Sequence, residues 1–186
     1  MSKKLSEMTL EELWQLFPIF LTQPNGKWTE QYREESAMLI KILPPNSEIH
    51  HIGSTAINGI WAKPIIDILI EIDENYDLAS CAQKICGRGY IIMSETSNRI
   101  SLNKGYTENG FAEKVFHIHL QHKSEKDEVL FRDYLNAHPD IAKEYESLKL
   151  KLWKQHEHNR DAYTEAKTDF VKKHTAIAKS FQNNKF

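Results

Sequence analysis

The feature that most constrains this chain is a short apolar run, Ile65 to Ile72, which is mostly isoleucine. Isoleucine favours β-strands, and a strand that is apolar at nearly every position is usually covered on both faces. The run therefore predicts a central strand with a layer of structure on each side. It also contains Asp67, whose carboxylate is costly to bury unless a metal, a cation or hydrogen bonds compensate its charge.

The whole chain has the size and composition of one folded domain. Its 186 residues fit a single core, and its 40% apolar and 10% aromatic residues argue against disorder. We expect one domain over residues 1–186, with an α/β core at 1–122 and a helical part of the same domain at 123–186. The formal net charge of −2 argues against duplex DNA as a partner, because DNA binding requires a basic surface.

Location and redox state follow from what the sequence lacks. The first residues contain no apolar segment of the kind found in secretory signals, and the apolar run is far shorter than the about 20 residues that span a membrane. Cys81 and Cys86 are spaced neither as a redox pair nor as a zinc knuckle, which is typical of reduced thiols. We expect a cytoplasmic protein that does not bind membranes.

Further strands and helices surround the central run. Turn residues separate the other predicted strands, which are Glu48–Ile52, Tyr90–Met93, Arg99–Asn103 and Lys114–His122. After Lys123 the apolar residues recur every three or four positions, which predicts three amphipathic helices. Ser124 begins a capping-box-like start for the first of them, and Pro139 suits the first turn of the second. The fold class is therefore α+β, a mixed sheet with flanking helices and a C-terminal three-helix segment.

The connection before the central strand carries the best candidates for chemistry. Gly53 has no Cβ, so a ligand could approach its backbone, and Ser54 and Thr55 offer hydroxyls near an expected helix start. Lys63 supplies a cation that could meet the same phosphate. Each residue also has a structural explanation: an ordinary turn, a solvated lysine, or an ion pair between Lys63 and Asp67.

This segment resembles the hallmark of the GrpB family, which is assigned to the nucleotidyltransferase superfamily. Gly53 and Ser54, followed after twelve residues by Asp67 in an apolar strand, resemble the superfamily signature. The resemblance covers nearly the whole chain; its other matches are Trp28 with Tyr32 and Glu35, Phe116–His119, Leu130–Leu135, His138–Pro139, Tyr145 with Leu148–Lys149, and Ala162–Lys167. It implies a nucleotidyltransferase-like mixed sheet.

The resemblance also implies site residues. Asp67 is the expected catalytic residue, and the expected phosphate-binding or ligand-binding residues are His51, Gly53, Ser54, Thr55, Lys63, Arg132 and Lys167. Arg132 lies beside Asp133, so a surface salt bridge is one reading, while the family pattern favours a bidentate phosphate fork. Lys167 is expected to act in a similar way.

The metal site is less regular than in active nucleotidyltransferases. Those enzymes carry a second carboxylate two residues after the first, where this chain has Leu69, and the GrpB pattern generally lacks it. Glu71 shares the face but lies about 13 Å away along the strand, too far for one ion. His117 and His119 alternate, so both fall on one face, and with Asp67 they could bind zinc, iron or manganese. The alternative is that both histidines simply form hydrogen bonds there.

Three functions stay open. The first is transfer of a nucleotidyl or phosphoryl group, assisted by a divalent metal such as Mg, Mn or Zn. The second, which Leu69 favours, is a non-catalytic module for a nucleotide or a coenzyme A-related ligand; members of the GrpB family also occur fused to dephospho-coenzyme A kinase. The third is a scaffold whose C-terminal helices bind a protein partner.

Overall fold

A five-stranded mixed sheet forms the centre of the protein, whose residues 3–183 are described by a computed structural model. The strands are β1 (Glu48–Ile52), β2 (Ile66–Ile72), β3 (Ile91–Glu95), β4 (Arg99–Thr107) and β5 (Gly110–His122). Their spatial order is β1-β2-β5-β4-β3, and only the β2–β5 pair is parallel. The predicted central strand is confirmed, since β2 lies between β1 and β5.

Seven α-helices flank the sheet over the described residues. They are α1 (Leu10–Leu16), α2 (Lys27–Leu39), α3 (Leu78–Cys86), α4 (Asp127–Ala137), α5 (Pro139–His156), α6 (Arg160–Glu165) and α7 (Thr168–Asn183). Local signals explain several of their starts: Thr9 and Glu12 form a capping box at α1, Asp77 caps α3, and Pro139 opens α5. Within residues 3–183 none of these helices is both long and apolar enough to cross a membrane.

The two faces of the sheet serve different purposes. Ile66, Ile68 and Ile70 have no exposed surface and pack in a core cluster with side chains from α2 and α3. Because side chains alternate along a strand, Asp67 and Leu69 face the other side, toward the C-terminal helices. One face of β2 therefore anchors the core, while the other can carry a site.

Two details of the C-terminal part correct the sequence predictions. Between Lys123 and Asn183 there are four helices, not three, because Asn159 starts a new short helix by accepting a hydrogen bond from Ala162 N at 3.0 Å. The predicted capping box at Ser124 does not form. Ser124 N instead donates to the buried carboxylate of Glu71 at 3.2 Å, and a buried carboxylate gains more from such a bond than an exposed helix end does.

Candidate functional site

Asp67 sits where the end of β1, the start of β2 and the middle of β5 meet. Its Cα partners are Ile52 in β1 and His117 in β5. Asp67 Oδ1 lies 3.2 Å from His117 Nδ1 and 4.0 Å from His119 Nε2. The hydroxyl of Tyr106 lies 2.8 Å from the other nitrogen of His117, Nε2. The Asp67 carboxylate is thus paired with the His117 imidazole, and the Tyr106 hydroxyl holds that imidazole in place.

The electrostatics keep this carboxylate ionised. Burial alone would raise the pKa of Asp67, but the hydrogen bond from His117 and the charges of His117 and Lys167 hold the pKa below its usual value. Burial lowers the pKa of His119 to about 4, against the opposite influence of Asp67. His119 is therefore a neutral imidazole at neutral pH, and its buried Nδ1 has no hydrogen-bond partner in the part of the chain that the structure describes.

The connection after β1 is a single 3-10 turn, Ser54–Ala56, and not the expected helix start. Gly53, which precedes it, has φ of 70°, in the left-handed region that glycine adopts without strain. The turn spans only three residues, so it does not provide the row of free N–H groups that the start of an α-helix offers to an anion. Any anion seat at Ser54 must therefore rely on side chains from elsewhere.

Two adjoining cavities open on this face of the sheet. The larger has a volume of about 670 Å³ and lies between the sheet and the C-terminal helices, with Phe131 and Tyr145 among its walls. The smaller has a volume of about 170 Å³. Both are lined by a shared set of residues: Ser54, Asp67, Thr164 and Lys167. A ligand could therefore occupy both cavities at once and pass Asp67 at their junction.

The small cavity is rich in cations. Four basic side chains line it, and Asp67 is the one carboxylate among its lining residues; the four are Lys63, Lys149, Arg160 and Lys167. Burial, reinforced by neighbouring cations, lowers the pKa of Lys63 and Lys149 to about 7 each and that of Lys167 to about 8. An anion bound among them would relieve both the burial cost and the mutual repulsion.

Seven of the residues named from sequence meet here. They are Gly53, Ser54, Lys63, Asp67, His117, His119 and Lys167, each of which lines at least one of the two cavities. The other three, His51, Thr55 and Arg132, line neither cavity.

His51 and Thr55 serve the opposite face of the sheet. The His51 ring stacks on Tyr32 at a centroid distance of 4.7 Å, and its Nε2 lies 3.0 Å from Thr55 Oγ1. The Thr55 hydroxyl donates to the carbonyl of Ile65 at 3.1 Å, and Thr55 is buried. These bonds fasten the connection between β1 and β2 rather than face a ligand.

Arg132 has a structural partner in place of a phosphate. Its Nη1 donates to the carbonyl oxygen of His51 at 2.6 Å, and its Nε donates to Asp133 at 2.8 Å. The guanidinium thus ties α4 to the end of β1, and its charge is already neutralised.

Two cations of the small cavity, Arg160 and Lys149, were not predicted as site residues from the sequence. Arg160 follows a charged stretch that is typical of a solvated surface, and no local signal distinguishes it. Lys149 did carry a signal: it falls four residues after Tyr145 and three before Leu152, in the apolar stripe of α5. A lysine in such a stripe is buried or paired, and this one is 1% exposed and donates to the carbonyl of Trp61.

The side chains around Asp67 offer too few free donor atoms for a complete set of metal ligands. Both nitrogens of His117 are engaged, one by Asp67 and the other by Tyr106, so His117 orients Asp67 more readily than it ligates an ion. Asp67 and His119 are the remaining ligands there. Over the described residues, one group brings three such ligand atoms within 4.8 Å of one another, and it lies elsewhere, at Glu48, His50 and Glu71.

Comparisons with a family model and with related proteins place the chain in the same family. The family model described as "GrpB protein" matches residues 18–176. The chain is 33% identical over 189 residues to the UPF0157 protein YqkA of Bacillus subtilis (strain 168), covering 98% of this chain and 54% of that protein's length. The chain therefore belongs to the GrpB family, and it spans about half the length of this relative.

Solved structures support the same fold. The crystal structure of conserved protein GrpB from Enterococcus faecalis superposes with a TM-score of 0.75 at 33% identity, covering 88% of this chain and 99% of that one. Cid1 poly(U) polymerase, in a structure with Mg 3′-dATP bound, gives a TM-score of 0.53 at 11% identity over 84% of this chain and 51% of that one. At that identity the likeness shows the fold alone, and it confirms the expected nucleotidyltransferase-like core.

Proposed function

We propose that this member of the GrpB family binds a phosphorylated small molecule such as a nucleotide. Its phosphate groups would occupy the small cavity, and the rest of the ligand would extend into the large one. The observation that carries the proposal is the excess of cations, four basic side chains against the single carboxylate of Asp67. The large cavity, at about 670 Å³, falls in the usual range for small-molecule sites, about 300–1,000 Å³.

The chemistry we propose is transfer of a nucleotidyl or phosphoryl group. Asp67, with His119, would hold a divalent metal such as Mg, Mn or Zn beside the phosphates, and such a metal supplies charge neutralisation of the transferred group. His117 would keep the Asp67 carboxylate oriented, since its Nδ1 lies 3.2 Å from Asp67 Oδ1. Lys63 and Lys167 would contact the phosphate oxygens.

A non-catalytic binding module is the second candidate. Leu69, which has no exposed surface, takes the position of the second carboxylate. Glu71 is also fully buried and is engaged by Gln121 and Ser124, so it does not replace that group. In this case the same cavities would bind a nucleotide or a coenzyme A-related ligand without turning it over.

Titration calorimetry tests the shared part of both candidates. The titrants are pyrophosphate, nucleoside triphosphates and coenzyme A, each with and without magnesium. The double variant Ser54→Ala, Lys63→Ala and the single variant Lys167→Met should lose most of the affinity of the wild type. Lys151→Met, which removes an exposed lysine of α5 outside both cavities, is the matched control.

Two results would count against the proposal. One is a wild type that binds none of these titrants, and the other is cavity variants that bind as tightly as Lys151→Met. If binding is present, turnover separates the candidates. Release of pyrophosphate or phosphate that disappears in Asp67→Asn supports the transferase, and binding without turnover supports the module.

A further inference from the structure

A second cluster of ligand-type side chains lies at the other end of β2, outside both cavities. Glu48 and Glu71 face each other across the β1–β2 pair, and His50 is the residue of β1 opposite Leu69. One ligand atom from each of Glu48, His50 and Glu71 lies within 4.8 Å of the other two. Two carboxylates and an imidazole are a ligand set that suits zinc and manganese.

Two of these atoms are buried and make no hydrogen bond to any of residues 3–183, although each lies within ion-pair distance of a neighbouring group. Glu71 is fully buried, and its Oε1 accepts hydrogen bonds from Ser124 N at 3.2 Å and Gln121 Nε2 at 3.4 Å. Its Oε2 accepts no hydrogen bond from the described residues. His50 Nε2 also has none, and it lies 3.8 Å from the nearest carboxylate oxygen of Glu71 and 3.4 Å from that of Glu48. A carboxylate oxygen with no exposed surface is costly unless a cation lies beside it.

Lys126 is the cation that these groups now share. Its ammonium donates to Glu48 and lies 3.3 Å from Glu71 Oε2. Lys126 thus places one ammonium against two carboxylates, those of Glu48 and Glu71. The Lys126 side chain is 30% exposed, so it can turn outward if another cation takes its place. Lys123 touches Glu48 at 3.7 Å but is held mainly by Asp73 at 2.8 Å.

We propose that Glu48, His50 and Glu71 form a binding site for a divalent metal, zinc by its ligand chemistry, which competes with the ammonium of Lys126. The site is separate from the one at Asp67, because four residues of strand and the buried Leu69 lie between them, about 13 Å. Bound zinc would link β1 and β2 to the segment entering α4, since Ser124 already donates to Glu71.

The experiment is zinc titration by calorimetry on the full chain carrying Asp67→Asn. This substitution removes the proposed metal ligand at the other site, so that any bound zinc reports on Glu48, His50 and Glu71. We expect one equivalent of zinc to remain bound. Adding Lys126→Met should tighten it about tenfold or more, because a competing positive charge is removed. Adding Lys123→Met, which removes the same charge beside Glu48 but not beside Glu71, should change the affinity much less.

Adding His50→Ala or Glu71→Gln should abolish the binding. His50→Ala guards against misfolding as an explanation, because His50 Nε2 makes no hydrogen bond within residues 3–183 that the fold would lose. Circular dichroism checks that each variant is folded. The inference is overturned if the Asp67→Asn, Lys126→Met protein binds no zinc, or if His50→Ala leaves zinc binding unchanged. Neither result bears on the phosphate cavities, so the proposed function would stand or fall separately.

Discussion

The carboxylate of Asp67 occupies the space that a side chain at Gly53 would need. A Cβ at position 53 would lie 2.4 Å from Asp67 Oδ2 and 3.0 Å from Asp67 Cβ. The glycine of the Gly-Ser pair is therefore required by the aspartate fourteen positions later, quite apart from any ligand. The two residues of the motif form one structural unit, in which backbone and carboxylate are in direct contact.

Replacing Gly53 by alanine should destabilise the fold by about 2 kcal/mol or more, because it combines left-handed backbone strain with a steric clash. The matched control is Gly59→Ala, where φ is 72° but a Cβ would meet nothing within 4 Å. Urea unfolding of both variants measures the difference. Equal losses of stability would show that the contact with Asp67 has no energetic weight.

Asp67→Asn should separate a structural from a metal-binding aspartate. If the charge serves only the pair with His117, the variant should lose about 3–5 kcal/mol, as when one partner of a buried pair is removed. We expect a smaller loss, and loss of the stabilisation that magnesium gives the wild type, about 2.7 kcal/mol at a hundredfold excess over Kd. Thermal melting with and without magnesium is the measurement. A wild type indifferent to magnesium, with a variant that melts far earlier, would exclude the metal role.

Lys149 should make stability depend on pH. Burial, with the repulsion of Lys167, lowers its folded-state pKa to about 7, from the ordinary lysine value of 10.5. Between these values the unfolded chain holds the proton and the folded chain does not, so stability rises with pH, by up to about 1.4 kcal/mol per pH unit for one proton. Relative to Lys149→Met, the wild type should gain stability between pH 7 and 10. Parallel curves for the two proteins in urea unfolding would contradict this.

Binding of a phosphate ligand should take up protons near pH 8. Burial lowers the pKa of Lys63 to about 7 and that of Lys167 to about 8, and a bound anion would raise both. Calorimetry of pyrophosphate binding in buffers of different ionisation enthalpy counts the protons. A heat that is the same in every buffer would mean that these lysines do not meet the phosphate.

Substitutions of two arginines should have different effects, one on the stability of the fold and the other on the affinity for pyrophosphate. Arg132→Met removes a charge-assisted bond to the carbonyl of His51 and should cost about 1.5–3 kcal/mol of stability, with unchanged affinity for pyrophosphate. Arg160→Met should weaken pyrophosphate binding about tenfold with little loss of stability, since it removes one of several crowded cations. The opposite pattern would restore Arg132 as the phosphate ligand expected from the family motif.

Much of the fold could be predicted because it depends on local patterns. The strand Glu48–Ile52 has the bounds expected from sequence, and β2 begins one residue later than expected. The alternation of side chains along β5 predicted that His117 and His119 share one face. The pairing of Asp67 with His117 in neighbouring strands brings that face to the carboxylate. The C-terminal helix count was wrong, because a short helix such as α6 depends on a single cap at Asn159.

The sequence by itself determined which residue types lie near Asp67 along the chain: a glycine, a serine, a lysine and an apolar strand. It could not determine which distant cations complete the small cavity, because Lys149 and Arg160 reach it only through the tertiary packing of α5 and α6. Nor could it show that His51 and Arg132 lie outside the cavities. Strand pairing decides which face of the sheet His51 occupies, and the nearby carbonyl of His51 binds the Arg132 guanidinium. The local periodicity of the sequence specifies which face of a strand or helix a side chain occupies. Only tertiary packing brings Asp67 together with basic residues that lie more than eighty positions later in the chain.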